Sequence, residues 1–401
     1  MGPSPAAADG ARQPSTPTNR PLHFPSLDGL RAVSFLIVFF AHSWSPLPLP
    51  IPGGFGVTVF FYLSGFLITT LLRQEVMATG TVDFSTFYLR RVLRILPPFY
   101  IVLALACGLT VLRVLPGELN RAVVLAQSLH YSNYWFASHG YAGAPLGTVV
   151  YWSLAVEEHF YLLFPLVYLA LTRTLSRRQQ GVALWALCAA VCAWRCVLVL
   201  AYGVLEDRTY MASDTRFDSI IFGCALAVAM NPVLDPQRGS ERLWKWLLLP
   251  AGLALLLVTF LWRPPWFRET IRYTLQGIGL TPLFVTAIRF PRWRLFRPLN
   301  WRLVAHFGVL TYSLYLVHQI VLYATGAYLK DYPAPMATAL ALGLSVLIAL
   351  ALHHVVERPC ADLRRRLSRA EAIPQSRPLS QSIQVAIGAT TGHPAPTGRQ
   401  G

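Results

Sequence analysis

The stretch LDGLRAVSFLIVFFAHSW, residues 27–44, sets a histidine at the far end of an apolar run that opens on Asp28 and Arg31. Arg31 and His42 are eleven residues apart. On a helix that is about 1100° of rotation, so they share a face to within roughly 20° and stand about 16 Å apart along the axis. Ionisable side chains inside membrane spans are costly and usually face a polar cavity. A neutral imidazole there suits a general base or a nucleophile; the competing use is a hydrogen bond between helices. Three further groups have side chains that can do chemistry. Glu157 lies in WSLAVEEHFYLLFP, near the start of an apolar segment. Arg90, Arg91 and Arg94 crowd FYLRRVLRILPPFY, where guanidinium forks suit phosphates but also serve as plain topological charge. Tyr312, Tyr315 and His318 in TYSLYLVHQ recur every three residues, on one helix face.

Composition dictates what kind of scaffold positions these groups. The chain has 401 residues, of which 54% are hydrophobic and only 13% charged, and its mean hydropathy is +0.46. A soluble chain carries roughly a quarter of its residues as charge. Apolar runs of about 20 residues, enough to cross a bilayer, recur from residue 27 to residue 355. The net charge of +16 would suggest nucleic acid in a soluble protein. Here the position of the charge matters more, and no nucleic-acid partner is expected. Of the 34 basic residues only Lys245 and Lys330 are lysines, a skew of GC-rich, bacterial type. The six cysteines are scattered. Cys188, Cys192 and Cys196 share a helix face without a histidine beside them, which reads as small apolar packing and not as a metal site.

The expected fold is an all-α integral membrane protein. Ten spans are expected, at 27–45, 54–72, 95–115, 153–171, 181–203, 217–232, 243–262, 271–288, 305–328 and 335–355, plus a re-entrant or interfacial helix at 121–137. With both termini cytoplasmic, 25 basic residues fall inside and eight outside, as the positive-inside rule requires. A crossing at 121–137 would put the five arginines of 289–302 and the basic tail outside. Residues 1–25, rich in Pro, Ser and Ala, read as disordered, and the first apolar run as a retained helix without a cleavage site. Residues 26–360 form the membrane domain. Residues 361–401 are a cytoplasmic tail, basic and then Pro/Ser/Gln-rich, too short and polar for an appended enzyme domain. No internal repeat stands out.

Seven motifs follow in order: SLDGLRA with His42 behind it, VTVFFYLSGFLITTLL, FYLRRVLRILPPFY, WSLAVEEHFYLLFP, TRFDSIIFGCALA, TYSLYLVHQ and VVERP. Together they resemble the integral-membrane acyltransferase-3 family, bacterial O-acyltransferases, over about residues 24–360. The resemblance implies acyl transfer from acyl-CoA, most simply acetyl-CoA as a co-substrate with no permanently bound cofactor or metal. It implies a hydroxyl acceptor on a glycan, glycolipid or secondary metabolite, and a multi-pass protein of the bacterial inner membrane. The family's arginine–ten residues–histidine signature maps onto Arg31 and His42, with His42 the essential histidine. Its RxxR motif maps onto Arg91 and Arg94 beside Arg90, giving a donor site with Arg31. The glutamate after WSL maps onto Glu157, the SGFL turn onto Ser64 and Gly65, and the late SYSLYLxH stretch onto Tyr312, Ser313, Tyr315 and His318. Thr311 departs mildly from that stretch, and His159 stands where the family often has Gln.

Each group keeps a bland alternative. Glu157 either orients His42, binds the acceptor hydroxyl or pairs an arginine, and Glu158 is expected to be its exposed neighbour. Arg216 and Asp218 either join these groups or mark a span boundary. Ser64, Tyr312, Tyr315 and His318 line a substrate site or pack at an interface. Glu357 anchors the last helix. A membrane transporter or flippase for a glycan or lipid would also use intramembrane His and Glu. The missing inverted repeat and the motif order favour the enzyme.

Overall fold

The computed structural model describes residue 24 and residues 26–44, 51–204 and 206–371. The expectations for residues 1–23 and 372–401 lie outside the described residues. Every regular element among the described residues is helical. The helices are α1 (Leu27–His42), α2 (Gly53–Thr79), α3 (Phe84–Val111), α4 (Arg121–Ser128), α5 (Ser132–His139), α6 (Trp152–Thr174), α7 (Arg177–Leu200), α8 (Glu206–Met211) and α9 (Ser213–Ala229). Then come α10 (Glu241–Leu261, with a π turn at Trp244–Leu248), α11 (Pro265–Glu269), α12 (Arg272–Arg289), α13 (Arg302–Val309), α14 (Thr311–Tyr328), α15 (Ala334–Leu352) and α16 (Arg358–Glu371).

Six of the helical stretches described are long and apolar enough to cross a membrane, or seven if α13 and α14 count as one broken span. Helices α1 and α9 fall short at 16 and 17 residues. They are the inner helices of the bundle, packed with α2, and protein contacts take the place of lipid around them. In the apolar window of α2, 83% of the residues are buried, against 22% for α7, which presents Leu187, Trp194 and Val197 outward. A multi-pass membrane protein whose innermost helices are shielded by protein is the consistent reading.

Two expected elements differ from the structure. The 305–328 span bends by 71° at Leu310, where α13 meets α14. Segment 121–137 is two short helices, α4 and α5, broken at Leu129–Tyr131, where His130 takes a left-handed φ of 53°. Side chains stitch this pair in place: the Gln127 amide donates to Thr148 and that of Asn133 to Ser213. Polar residues in 121–137 thus bond to neighbouring elements and hold a short hairpin.

Close crossings fix the inner helices. A Cβ on Gly65 of α2 would stand 2.0 Å from the Ile220 carbonyl oxygen of α9, and one on Gly223 would stand 2.0 Å from that of Tyr62. Only glycine lets two backbones meet there. Charged latches add to this. Asp235 receives Arg73 of α2 and Arg177 of α7, and Arg195 of α7 pairs with Asp218 of α9 at 2.7 Å, both fully buried.

Candidate active site

A cavity of about 1820 Å³ opens between α1, α2, α3, α6, α14 and α16. Helical spacing explains which side chains it collects. On α6, Ser153, Glu157 and Tyr161 recur every four residues and so line one face. On α3, Arg90 and Arg94 form one such pair and Phe87 and Arg91 another, with Pro97 and Pro98 interrupting the helix ladder one turn further on. Arg31 joins from α1, Ser64 from α2, and Tyr312 and Tyr315 from α14. Eight of the ten residues singled out from the sequence therefore meet in one space: Arg31, Ser64, Arg90, Arg91, Arg94, Glu157, Tyr312 and Tyr315.

Within it the polar groups are chained. The Tyr161 hydroxyl donates to Glu157 and lies 2.6 Å from the Ser64 hydroxyl. The Arg91 guanidinium sits over the Tyr161 ring, 5.2 Å from its centroid. Ser153 and Tyr315 exchange a hydrogen bond of 2.7 Å, and Tyr312 donates to the Ile95 carbonyl at 2.7 Å. Arg31 pairs with Asp28 of its own helix. At the rim, hydrogen bonds from Thr86, side chain first and backbone second, hold the Asp83 carboxyl below its ordinary range.

The other two residues, His42 and His318, lie behind the cavity and bond to each other, His42 Nδ1 to His318 Nε2 at 3.3 Å. Tyr315 and Phe60 line the cavity in front of them, with the Tyr315 ring 5.4 Å from that of His318. The network assigns the protons. His318 Nδ1 is 2.8 Å from the Tyr315 carbonyl oxygen, which can only accept, so Nδ1 carries the hydrogen. In neutral His318, Nε2 is then an acceptor, and His42 Nδ1–H donates to it. Among the described residues His42 Nε2 has no hydrogen-bond partner, and its lone pair is available as a base or nucleophile. His318 is fully buried, whereas His42 is exposed at the end of its helix. Gly147 makes room for the buried histidine's helix: it has φ +79°, and a Cβ there would stand 2.4 Å from the Ile320 amide nitrogen.

Several expectations change. Among the described residues no hydrogen bond or ion pair joins Glu157 to His42; the carboxylate is held by Tyr161. Glu158 is half-buried and lines the cavity beside Glu157, the next residue on the same helix. Arg216 and Asp218 do not join the cavity residues. Asp218 belongs to Arg195 and Thr274. Arg216 is buried over the Tyr273 ring at 4.0 Å and bonds to Thr58. Glu357 does anchor a helix, accepting from Ser313 at 2.5 Å and meeting His353 at 2.6 Å. Sequence reasoning missed Tyr161, Ser153, Arg364 and Arg365 as lining residues. The four-residue spacing about Glu157 was a usable signal for the first two, whereas the arginines looked like ordinary tail charge.

The acyltransferase-3 profile, described as an acyltransferase domain, matches residues 24–354. The chain is 30% identical over 360 residues to O-acetyltransferase OatA of Staphylococcus aureus, covering 84% of this chain and 57% of that protein. It is 28% identical over 362 residues to "Putative peptidoglycan O-acetyltransferase YrhL" of Bacillus subtilis, covering 84% of this chain and 55% of that one. The chain thus spans a little over half the length of the curated relatives it matches. No solved structure matches it. With seven motifs in order, five of them lining one cavity, and a profile match over most of its length, the chain belongs to the acyltransferase-3 family of membrane proteins.

Proposed function

We propose that the protein is an O-acyltransferase that moves an acyl group, most simply acetyl, from acyl-CoA to a hydroxyl of a glycan, glycolipid or secondary metabolite. One observation carries the reading: an arginine-lined cavity runs up to Tyr315, and the free Nε2 of His42 stands behind that wall. The arginines suit the phosphates of coenzyme A, and the interior takes the thioester arm. His42 either removes the acceptor proton or carries the acyl group, and His318 orients its ring. Transfer breaks the thioester C–S bond and forms an ester C–O bond; the acceptor's proton ends on the departing thiolate. Glu157, Tyr161 and Ser64 form a hydrogen-bonded chain able to position the acyl carbonyl or relay that proton. The relatives' names support acetyl as the group and a cell-envelope glycan as the acceptor.

In this reading the chain crosses the inner membrane ten times with both ends cytoplasmic. The arginine rim then faces the coenzyme A pool, and the exposed His42 faces the acceptor. The test is thiol release from acetyl-CoA by membranes holding the wild type or His42→Ala, with extracted bacterial glycolipids as acceptor. Release that depends on His42 supports the transferase. If no acyl donor gives release and coenzyme A does not bind, a glycan or lipid transporter takes its place.

A further inference from the structure

The last helix, α16, reads in sequence as the start of a basic tail, yet it reaches the cavity. It packs on α3, and Arg364 and Arg365 line the same space as Arg90 and Arg94. Its direction is set by the π turn His353–Glu357, where Glu357 is tied to Ser313 of α14 and to His353. The inward face of α16 carries the half-buried neighbours Cys360 and Ala361 with Arg364 one turn on, while Arg366 points away and is exposed.

The charges at this rim are unbalanced. Among the described residues Arg90, Arg94 and Arg364 have no carboxylate within ion-pair distance. Arg365 has Asp362, on the exposed side of the helix. The two carboxylates nearest the start of α3 are engaged with backbone instead: Glu75 accepts from the Asp83 amide at 2.7 Å and Asp83 from the Thr86 amide at 3.1 Å. Guanidinium groups crowded about one opening repel one another, and a ligand with several negative charges relieves that repulsion. Planar forks from two helices match phosphate oxygens.

We propose that α16 is part of the donor site, with Arg364, seconded by Arg365, closing a ring with Arg90 and Arg94 that binds the phosphates of a nucleotide thioester at the cavity mouth. This rests on the reading of acyl-CoA as donor and adds a clamp from outside the RxxR segment. An anionic lipid headgroup offers the same phosphate chemistry, so the experiment separates the two sources.

The experiment measures binding of coenzyme A and of pantetheine, which lacks the nucleotide, to the full chain in phosphatidylcholine nanodiscs. Arg364→Gln should weaken coenzyme A by about tenfold, the worth of a hydrogen bond to a charged group, and leave pantetheine unchanged. Arg366→Gln, which removes the same charge from the opposite face, should change neither. Arg364→Lys keeps the charge without the fork and should fall between. Equal coenzyme A binding by wild type and Arg364→Gln overturns the proposal, as does an equal loss for both ligands, which would mean a damaged fold. A difference seen only in discs containing phosphatidylglycerol assigns the ring to lipid headgroups and also overturns it. Acetyl-CoA turnover in the same discs tests the transferase reading separately: Arg364-dependent binding without His42-dependent thiol release keeps the nucleotide site and removes the reaction.

Discussion

The protein holds two populations of arginine that sequence alone does not separate. In the inner bundle, Arg195 is fully buried against Asp218, with further bonds to the Thr270 and Thr215 carbonyls and the Thr274 hydroxyl. Arg73 and Arg177 share Asp235. Each of these cations is paired with a carboxylate within the protein. Around the cavity the opposite holds: Arg90, Arg94 and Arg364 line open space and, among the described residues, have no carboxylate within ion-pair distance. Arginines paired with buried carboxylates hold helices together, and those at the cavity mouth are open to a ligand; Arg216, buried over the Tyr273 ring, belongs to neither group. The histidines divide similarly: among the described residues His318 bonds through both nitrogens, and His42 through one.

Four variants test that division. His42→Ala should abolish acyl transfer, at least a hundredfold for loss of a general base, while the protein still inserts and purifies as wild type; substantial residual turnover would remove the free nitrogen from the mechanism. Asp218→Ala strands a buried guanidinium and should cost about 3–5 kcal/mol, seen as early unfolding in detergent. If Arg94→Ala cost as much, the two populations would be one. Arg94→Ala should instead leave unfolding unchanged and raise the KM for acetyl-CoA several-fold, with kcat less affected.

The smallest effect concerns acid. Burial opposes the charge on Asp235, but hydrogen bonds from Arg73 and the Asn231 amide outweigh it and hold the carboxyl below its ordinary 3.8. A depressed carboxyl stabilises the fold above its unfolded value, and that contribution fades as pH falls through the folded one. Unfolding temperature in detergent should therefore drop below about pH 4 more steeply for the wild type than for Asp235→Asn. Parallel profiles would mean the latch carries no stability.

Much of this was legible. Apolar runs mark the helices because a spanning segment must bury its backbone polar groups in its own ladder, and an ordered set of motifs names the residues of the cavity. What stayed hidden depends on pairings remote in sequence. His42 and His318 meet across 276 positions, and no periodicity links them. The break at Leu310 follows from packing of α13 against α1, where a Cβ on Gly308 would stand 1.9 Å from the Asp28 carbonyl oxygen. Arg195 sits in an apolar run with nothing nearby to announce Asp218. Arg364 and Arg366 are the same residue type two places apart, and only the direction of α16 tells them apart.

The depth of the cavity has an electrical consequence. Along α2 its lining runs from Val57 to Ala78, about 32 Å at 1.5 Å per residue, a length close to the thickness of a bilayer's hydrocarbon core. When ions fill a recess that deep, the potential of its own compartment reaches inward and the voltage falls over the shorter distance that remains. A unit charge moved through a full 100 mV changes its energy by about 2.3 kcal/mol. A step that carried a proton or an anionic intermediate past Tyr315 in such a recess would feel part of that drop, and its rate would then depend on membrane potential.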